Sequence, residues 1–425
     1  MRYWTSLLAI AAPLAAQSVT YTRDVAPIFQ AKCQQCHRPN DIAPFALDGY
    51  EAALDWKGDI KLAVSEGRMP PWKPVAGAGD FRGNFSLTQE EKDKILAWVD
   101  LDGPKGEDSD MPAPLPERGE WVLGEPDLVL QMPEPYTPPR GKDMYRCFVL
   151  PTGVEETKYV GAYDVLPGDR RSVHHVILFT DTTGEAEKLD AKDPEPGYTC
   201  FGGPGTPISA TDLFGGNSLG LGGWAPGTRP SHLPDGVGVE MAPKTRVVMQ
   251  IHYYARSGAS PDQTRVGLYY AKSKVEKRLI YLPVLPLDAR GNVSLTIPAG
   301  ANRHVVNTEF LVPLLLGAQV VSVFPHMHLL GTDIKAEIVD TLGRNPRPLV
   351  HIDKWDFNWQ GPYVFSEPVK LPALNRVRLS CTYDNSAANP RNPNNPLKTV
   401  RWGEGTEDEM CLVFLGVTFD RDRLQ

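Results

Sequence analysis

The sequence predicts a mainly β protein, with two antiparallel β-sandwich domains following a small all-α domain. Three observations carry that reading. From about residue 126 onward, short apolar runs alternate with Gly, Pro and Asn clusters, as strands and turns do. Before residue 103 the apolar residues recur at helical spacing instead. Between the two textures, residues 104–125 are charged and Pro-rich, with almost nothing to bury.

Taken in order, residues 1–17 read as an export signal. Arg2 supplies the charge, Tyr3 to Leu14 the apolar stretch, and Ala15-Ala16 a small-residue cleavage site before Gln17. The helical domain spans 18–103. Val25, Ile28 and Phe29 give its first helix an apolar face, and Thr88-Gln-Glu-Glu opens another with a capping box. Gly103-Pro104 stops that helix. After the 104–125 linker come two sandwiches, 126–280 and 281–425, because 300 residues exceed one sandwich comfortably. The runs Val173 to Phe179, Arg246 to Tyr254, Val320 to Phe324 and Leu412 to Phe419 are strand candidates.

Composition narrows the function. The 425-residue chain carries a net charge of -8 and no Lys/Arg-rich run, which excludes the concentrated basic footprint of a nucleic-acid binder. No later segment has the roughly 18 apolar residues of a transmembrane helix. Six cysteines and an export signal point to the periplasm or the exterior. Cys147, Cys200, Cys381 and Cys411 are disulfide candidates, with three pairings open.

The string Cys33-Gln34-Gln35-Cys36-His37 is a c-type haem attachment motif. Two thiols at this spacing can form thioethers with haem, and the adjacent histidine lies under the iron. Redox or zinc use of Cys-x-x-Cys is disfavoured by His37 and by the lack of a second cysteine pair at zinc-ribbon spacing. Met69, in Arg68-Met69-Pro70-Pro71-Trp72, is the candidate sixth ligand, since Met111 lies too deep in the linker. A His/Met pair suits electron transfer. The region resembles the small cytochrome c domains at the start of many bacterial oxidoreductases.

Five of the remaining histidines form three clusters: His174-His175, His252 and His326-x-His328. In a strand, i and i+2 share a face, so His326 and His328 can bind one ion; His174 and His175 need a bulge or a strand end to converge. Imidazoles accept zinc or copper, and a methionine partner would favour copper. His232, His304 and His351 read as structural or surface residues.

The ordered strings Ser-Val-His174-His175-Val-Ile-Leu-Phe, Met-Gln250-Ile-His252-Tyr, Pro-His326-Met-His328-Leu-Leu-Gly and Asp408-Glu409-Met410-Cys411 resemble the copper type II ascorbate-dependent monooxygenases, over roughly residues 126–425. The resemblance implies two jelly-roll-like sandwiches, each carrying one copper, facing across a solvent cleft. It implies His174, His175 and His252 as ligands of an electron-transferring copper, and His326, His328 and Met410 as ligands of the oxygen-binding, catalytic copper. It implies the disulfides Cys147–Cys200 and Cys381–Cys411. The implied reaction hydroxylates a C–H bond of a small substrate with O2, with electrons from ascorbate, a redox protein or the fused haem.

Departures narrow the substrate. An arginine that anchors the substrate carboxylate in peptide-hydroxylating members is Phe324 here. Leu412 and Phe414 replace a family Asn and Tyr. The mouth is therefore expected to be apolar, with Gln250 and Tyr145 lining the cleft, and Gly-extended peptides are poor candidates. The competing reading is a haem-plus-copper electron-transfer protein without hydroxylase activity; the six filled ligand positions favour the enzyme.

Overall fold

The computed structural model describes residues 18–39, 41–141, 143–201, 203–206, 220–254, 260–312, 317–422 and 424. The export signal expected over residues 1–17 lies outside them. The chain forms two compact units, Met1–Pro71 with Phe85–Pro116, and Trp72–Asn84 with Glu117–Gln425.

The elements described in the first unit are all helical. Tyr21–Val25, Ala26–Ile28 and Phe29–Cys33 form one continuous helical stretch of mixed winding, followed by Tyr50–Asp55, Lys57–Ser65 and Gln89–Asp100. The last opens as the sequence predicts. Thr88 Oγ1 accepts from Glu91 N–H while the Glu91 carboxylate accepts from Thr88 N–H. Tyr21, Val25, Phe29, Ala53, Ile95 and Trp98 form its core. The expected linker does not begin free at residue 104. Tyr21 N–H donates to Pro104 O, Thr22 N–H to Lys105 O, and the Trp98 indole to Pro104 O. At its far end Trp121 is buried and Val122 N–H bonds to Asp164 in the second unit.

The second unit is built of strands, and every strand run named from the sequence is found. Lys277–Arg278, Val237–Met241, Lys158–Leu166, Arg265–Tyr270 and Leu128–Gln131 form one five-stranded sheet. Tyr198–Thr199, Asp143–Pro151, Arg246–Tyr254, Val173–Asp181 and Gly220–Trp224 form another, in that order. Both sheets contribute to one apolar core that includes Leu130, Phe148, Val176, Met241, Ile251 and Val266. At Leu279 the chain crosses to two four-stranded sheets. One orders Ile280–Val284, Leu412–Phe419, Ala318–His326 and Tyr363–Leu371; the other orders His304–Leu311, Arg376–Tyr383, Gly331–Val339 and Arg347–Ile352. They share a second core, with Val320, Ile334, Leu349, Leu379, Val413 and Leu415.

Residues 72–84, which the sequence groups with the helical region, pack on this second sheet pair. Phe81 stacks near Phe365 and Tyr363, and Val75 N–H bonds to His351 O. The two sheet pairs meet where Phe324 lies over Gly223, since a Cβ there would come within 2.7 Å of the Phe324 ring. Among the described residues no helix is long and apolar enough to cross a membrane.

Candidate metal centre

His175 and His252 face each other on neighbouring central strands. The pairing slips between Val173 and His175, and this bulge is the irregularity that two adjacent histidines need in order to converge. His174 Nδ1 lies 3.3 Å from His175 Nδ1, which lies 3.3 Å from His252 Nδ1. The candidate ligand atoms of all three fall within 4.8 Å of one another. Two nitrogens bound at roughly 2.0–2.1 Å to one tetrahedral ion sit about 3.3 Å apart, so the spacing fits a single metal.

The other nitrogen of His252, Nε2, is held by the Asp143 carboxylate. A partner of this kind fixes the ring and directs the remaining nitrogen to a metal. Burial pushes Asp143 up, but hydrogen bonds from His252 and from Thr406 N–H override it and bring it down to about 2. Burial, then the neighbouring His252, lowers His174 to about 3, and the same causes hold His175 well below its ordinary value. Neutral imidazoles are the form that binds metal.

His326 ends the strand Ala318–His326, and His328 follows with the same facing. Their Nε2 atoms lie 3.2 Å apart, again one ion's spacing. Each Nδ1 is occupied, His326 by Gln360 Oε1 at 2.6 Å and His328 by Asp408 O at 3.1 Å. Burial brings His326 down to about 4 and holds His328 far down. Met410 is buried two residues before Leu412, which pairs with His326. Its backbone is fixed by Glu409, by the Tyr383 hydroxyl donating to Met410 O at 2.7 Å, and by the neighbouring Cys381–Cys411 disulfide. Glu409 is fully buried and accepts from the amides of His328, Leu330 and Met410. Burial lifts its carboxyl to about 8, with those amides pulling the other way.

The two histidine groups do not face each other across open solvent. The rings of His175 and His326 lie 6.0 Å apart, and Phe357 stacks on His174 at 4.4 Å while its edge reaches His328 at 5.8 Å. Tyr145 is buried and stacked on His252, with ring centroids 4.2 Å apart. Gln250 is buried and bonded to Gly203 O. Phe324 and Phe414 are opposed in register and Leu412 faces His326, so the three departures from the family pattern sit on one stretch of sheet.

Both disulfides are present, Cys147–Cys200 and Cys381–Cys411, and neither includes Cys33 or Cys36. Cys36 and His37 both donate their amides to Cys33 O, so the motif forms a tight turn. His37 Nδ1 bonds to Phe45 O at 3.0 Å, which leaves Nε2 available. Phe45 also stacks on Trp56, which is 40% exposed, giving His37 an apolar flank. Met69 is half-buried after the helix Lys57–Ser65, its amide bonded to Ala63 O. His232 packs edge-on to Tyr269, His351 pairs with Asp333, and His304 begins a strand; none joins the centre.

Residues 305–418 match the family model of the copper type II ascorbate-dependent monooxygenase C-terminal domain. That span holds His326, His328 and Met410. Over it the chain is similar to a copper-dependent oxidoreductase family that uses O2 and a reductant. No curated protein matches the chain. Among solved structures, PNGF-II in a C2 crystal shares 9% identity at a TM-score of 0.29, covering 72% of this chain and just under two thirds, 66%, of that one. The major capsid protein P2 of bacteriophage PM2 shares 10% identity at a TM-score of 0.25, covering 70% and 99%. Likenesses this loose carry no argument.

Sequence reasoning passed over Asp143, Gln360, Phe357 and Glu409. Asp143 lies two positions from Tyr145, hence on the same strand face. Glu409 adjoins Met410. Those two placements were the available signals; Gln360 and Phe357 offered none.

Proposed function

We propose that the chain is a copper-dependent monooxygenase that hydroxylates a C–H bond of a small, apolar substrate with O2. The observation that carries this is the pair of histidine groups, each spaced for one metal, the second lying within the matched span. Bound copper would supply one-electron redox chemistry at each group and a place for O2. His174, His175 and His252 would hold one ion, and His326, His328 and Met410 the other, where the thioether favours the reduced metal. Asp143 and Gln360 orient the imidazoles, while Phe324, Leu412 and Phe414 present an apolar surface that selects against charged substrates. The four sheets are read as two jelly-roll-like sandwiches, 126–280 and 281–425, behind a cytochrome c-like domain over 18–103 and a 104–125 linker. In that domain Cys33, Cys36, His37 and Met69 would hold one haem c that feeds electrons, in place of or beside ascorbate or a redox protein. Two disulfides and the 1–17 signal fit a periplasmic or secreted protein.

The test is copper-loaded full-length protein incubated with a small-molecule library, a reductant and 18O2. The expected result is two coppers per chain and a product carrying one 18O atom. Zinc, fewer than two coppers at saturation, or O2 reduction with no labelled product would overturn the reading.

A further inference from the structure

Asp143 and Tyr145 lie on the first sheet pair, beside His252. Both also reach the second. One Asp143 oxygen holds His252 Nε2, and the other accepts from Thr406 N–H at 2.6 Å. The Tyr145 ring lies flat on the His252 ring, 6° from parallel, while its hydroxyl donates to Glu404 O at 2.7 Å. Glu404 and Thr406 belong to the loop that runs directly into Met410. The loop is bonded internally: Asp408 closes it by accepting from Gly405 N–H, and Gly403 N–H bonds to Glu409 O. At its end Asp408 O holds His328 Nδ1 and Glu409 holds the His328 amide. A single short segment is therefore tied at one end to a ligand of the first histidine group and at the other to a ligand of the second.

We infer that Asp143 and Tyr145 are positioning residues that latch loop 403–408, holding the two histidine groups as one closed centre and setting where Met410 lies. The inference deepens the two-copper reading and rests on it for its consequence, but the latch itself is a property of the metal-free chain. Asp143 suits the task because a carboxylate can accept from His252 and Thr406 at once. With the proton on His252 Nε2, an Asn side chain offers one acceptor oxygen and gives up one of the two bonds. Tyr145 suits it because its ring and hydroxyl act on different partners. Phe at this position keeps the stack on His252 and loses only the loop. With the latch closed, the rings of His175 and His326 are 6.0 Å apart.

The experiment compares full-length wild type, Asp143→Asn, Tyr145→Phe and the double variant in two measurements. The first is hydrogen exchange on the metal-free proteins. The Thr406 amide should be protected in wild type and exchange about tenfold or more faster in the double variant, as loss of a bond to a charged acceptor implies. The second is Cu(II) binding to each protein, with copper per chain measured separately. Wild type should bind two ions, and the double variant should lose at least one of them to a chelator about tenfold more readily. Unchanged Thr406 exchange overturns the latch. So does a double variant that holds both ions as tightly as wild type. Fewer than two coppers in wild type overturns the copper reading instead, and exchange then decides the latch alone. If Asp143→Asn does not fold, Tyr145→Phe, which preserves the buried ring, gives the same comparison for the loop.

Discussion

At the scale of single residues, the centre depends on side chains that touch no metal position. Glu409 is the clearest. It is fully buried, and its two oxygens gather the amides of His328, Leu330 and Met410. Truncation takes the acceptor from these buried donors, at about 1–3 kcal/mol each before water relieves some of them. Glu409→Ala is expected to cost about 3 kcal/mol or more in chemical denaturation of the metal-free protein. It should also empty the His326/His328 position while the three-histidine position still binds copper, because Asp143 and the bulge at His174 are untouched. Equal loss from both positions would mean that Glu409 supports the whole unit rather than one ligand segment.

At the scale of elements, adjacency in sequence and adjacency on a face are different things, and the strand Val173–Asp181 turns on that difference. An ideal strand would send His174 and His175 to opposite faces. The slip between Val173 and His175 brings Nδ1 of both to one point. Because both ligands depend on this bulge, replacing either one should remove one copper and leave the other. His174→Ala and His175→Ala are each expected to lower bound copper from two ions per chain to one, read by metal analysis, with the His326/His328 ion retained. Retention of two ions in either variant would remove that histidine from the ligand set. The strands, the bulge and the Thr88 cap were legible in the sequence because each is set by residues a few positions apart. The supports of the centre were not. His252 meets Asp143 109 residues away, and His326 meets Gln360 34 away. Neither pairing leaves a periodic trace in the chain. The same limit applies to residues 72–84. Their Gly-rich sequence reads as loop, and only contact with Tyr363 and Phe365 shows which unit they complete.

At the scale of the whole β unit, the closed centre requires the two sheet pairs to keep one relation, and the crossing at Leu279 is where the chain fixes it. Arg278 pairs with Gly238 in the first pair's sheet and contacts Glu240 on the same strand. It also makes a multiply bonded ion pair with Asp422, which follows the last strand of the second pair. Burial alone would push Asp422 up, but the Arg278 guanidinium wins and holds the carboxyl below its ordinary 3.8. A depressed carboxyl stabilises the fold at pH values above its unfolded value and loses that contribution as pH falls through the folded value. The pair should therefore contribute fully at pH 5–8 and fade only below about 3.8. Asp422→Asn is expected to cost about 1 kcal/mol at pH 7, a modest figure because the pair is partly exposed to solvent. That lowers the melting temperature of the β unit by about 2 °C. The gap between wild type and variant should stay constant from pH 7 to 5 and close between about pH 4 and 2. A gap that persists undiminished at pH 2 would show that Asp422 acts through packing and not through charge, and the junction would then owe its geometry to Leu279 and the cores on either side.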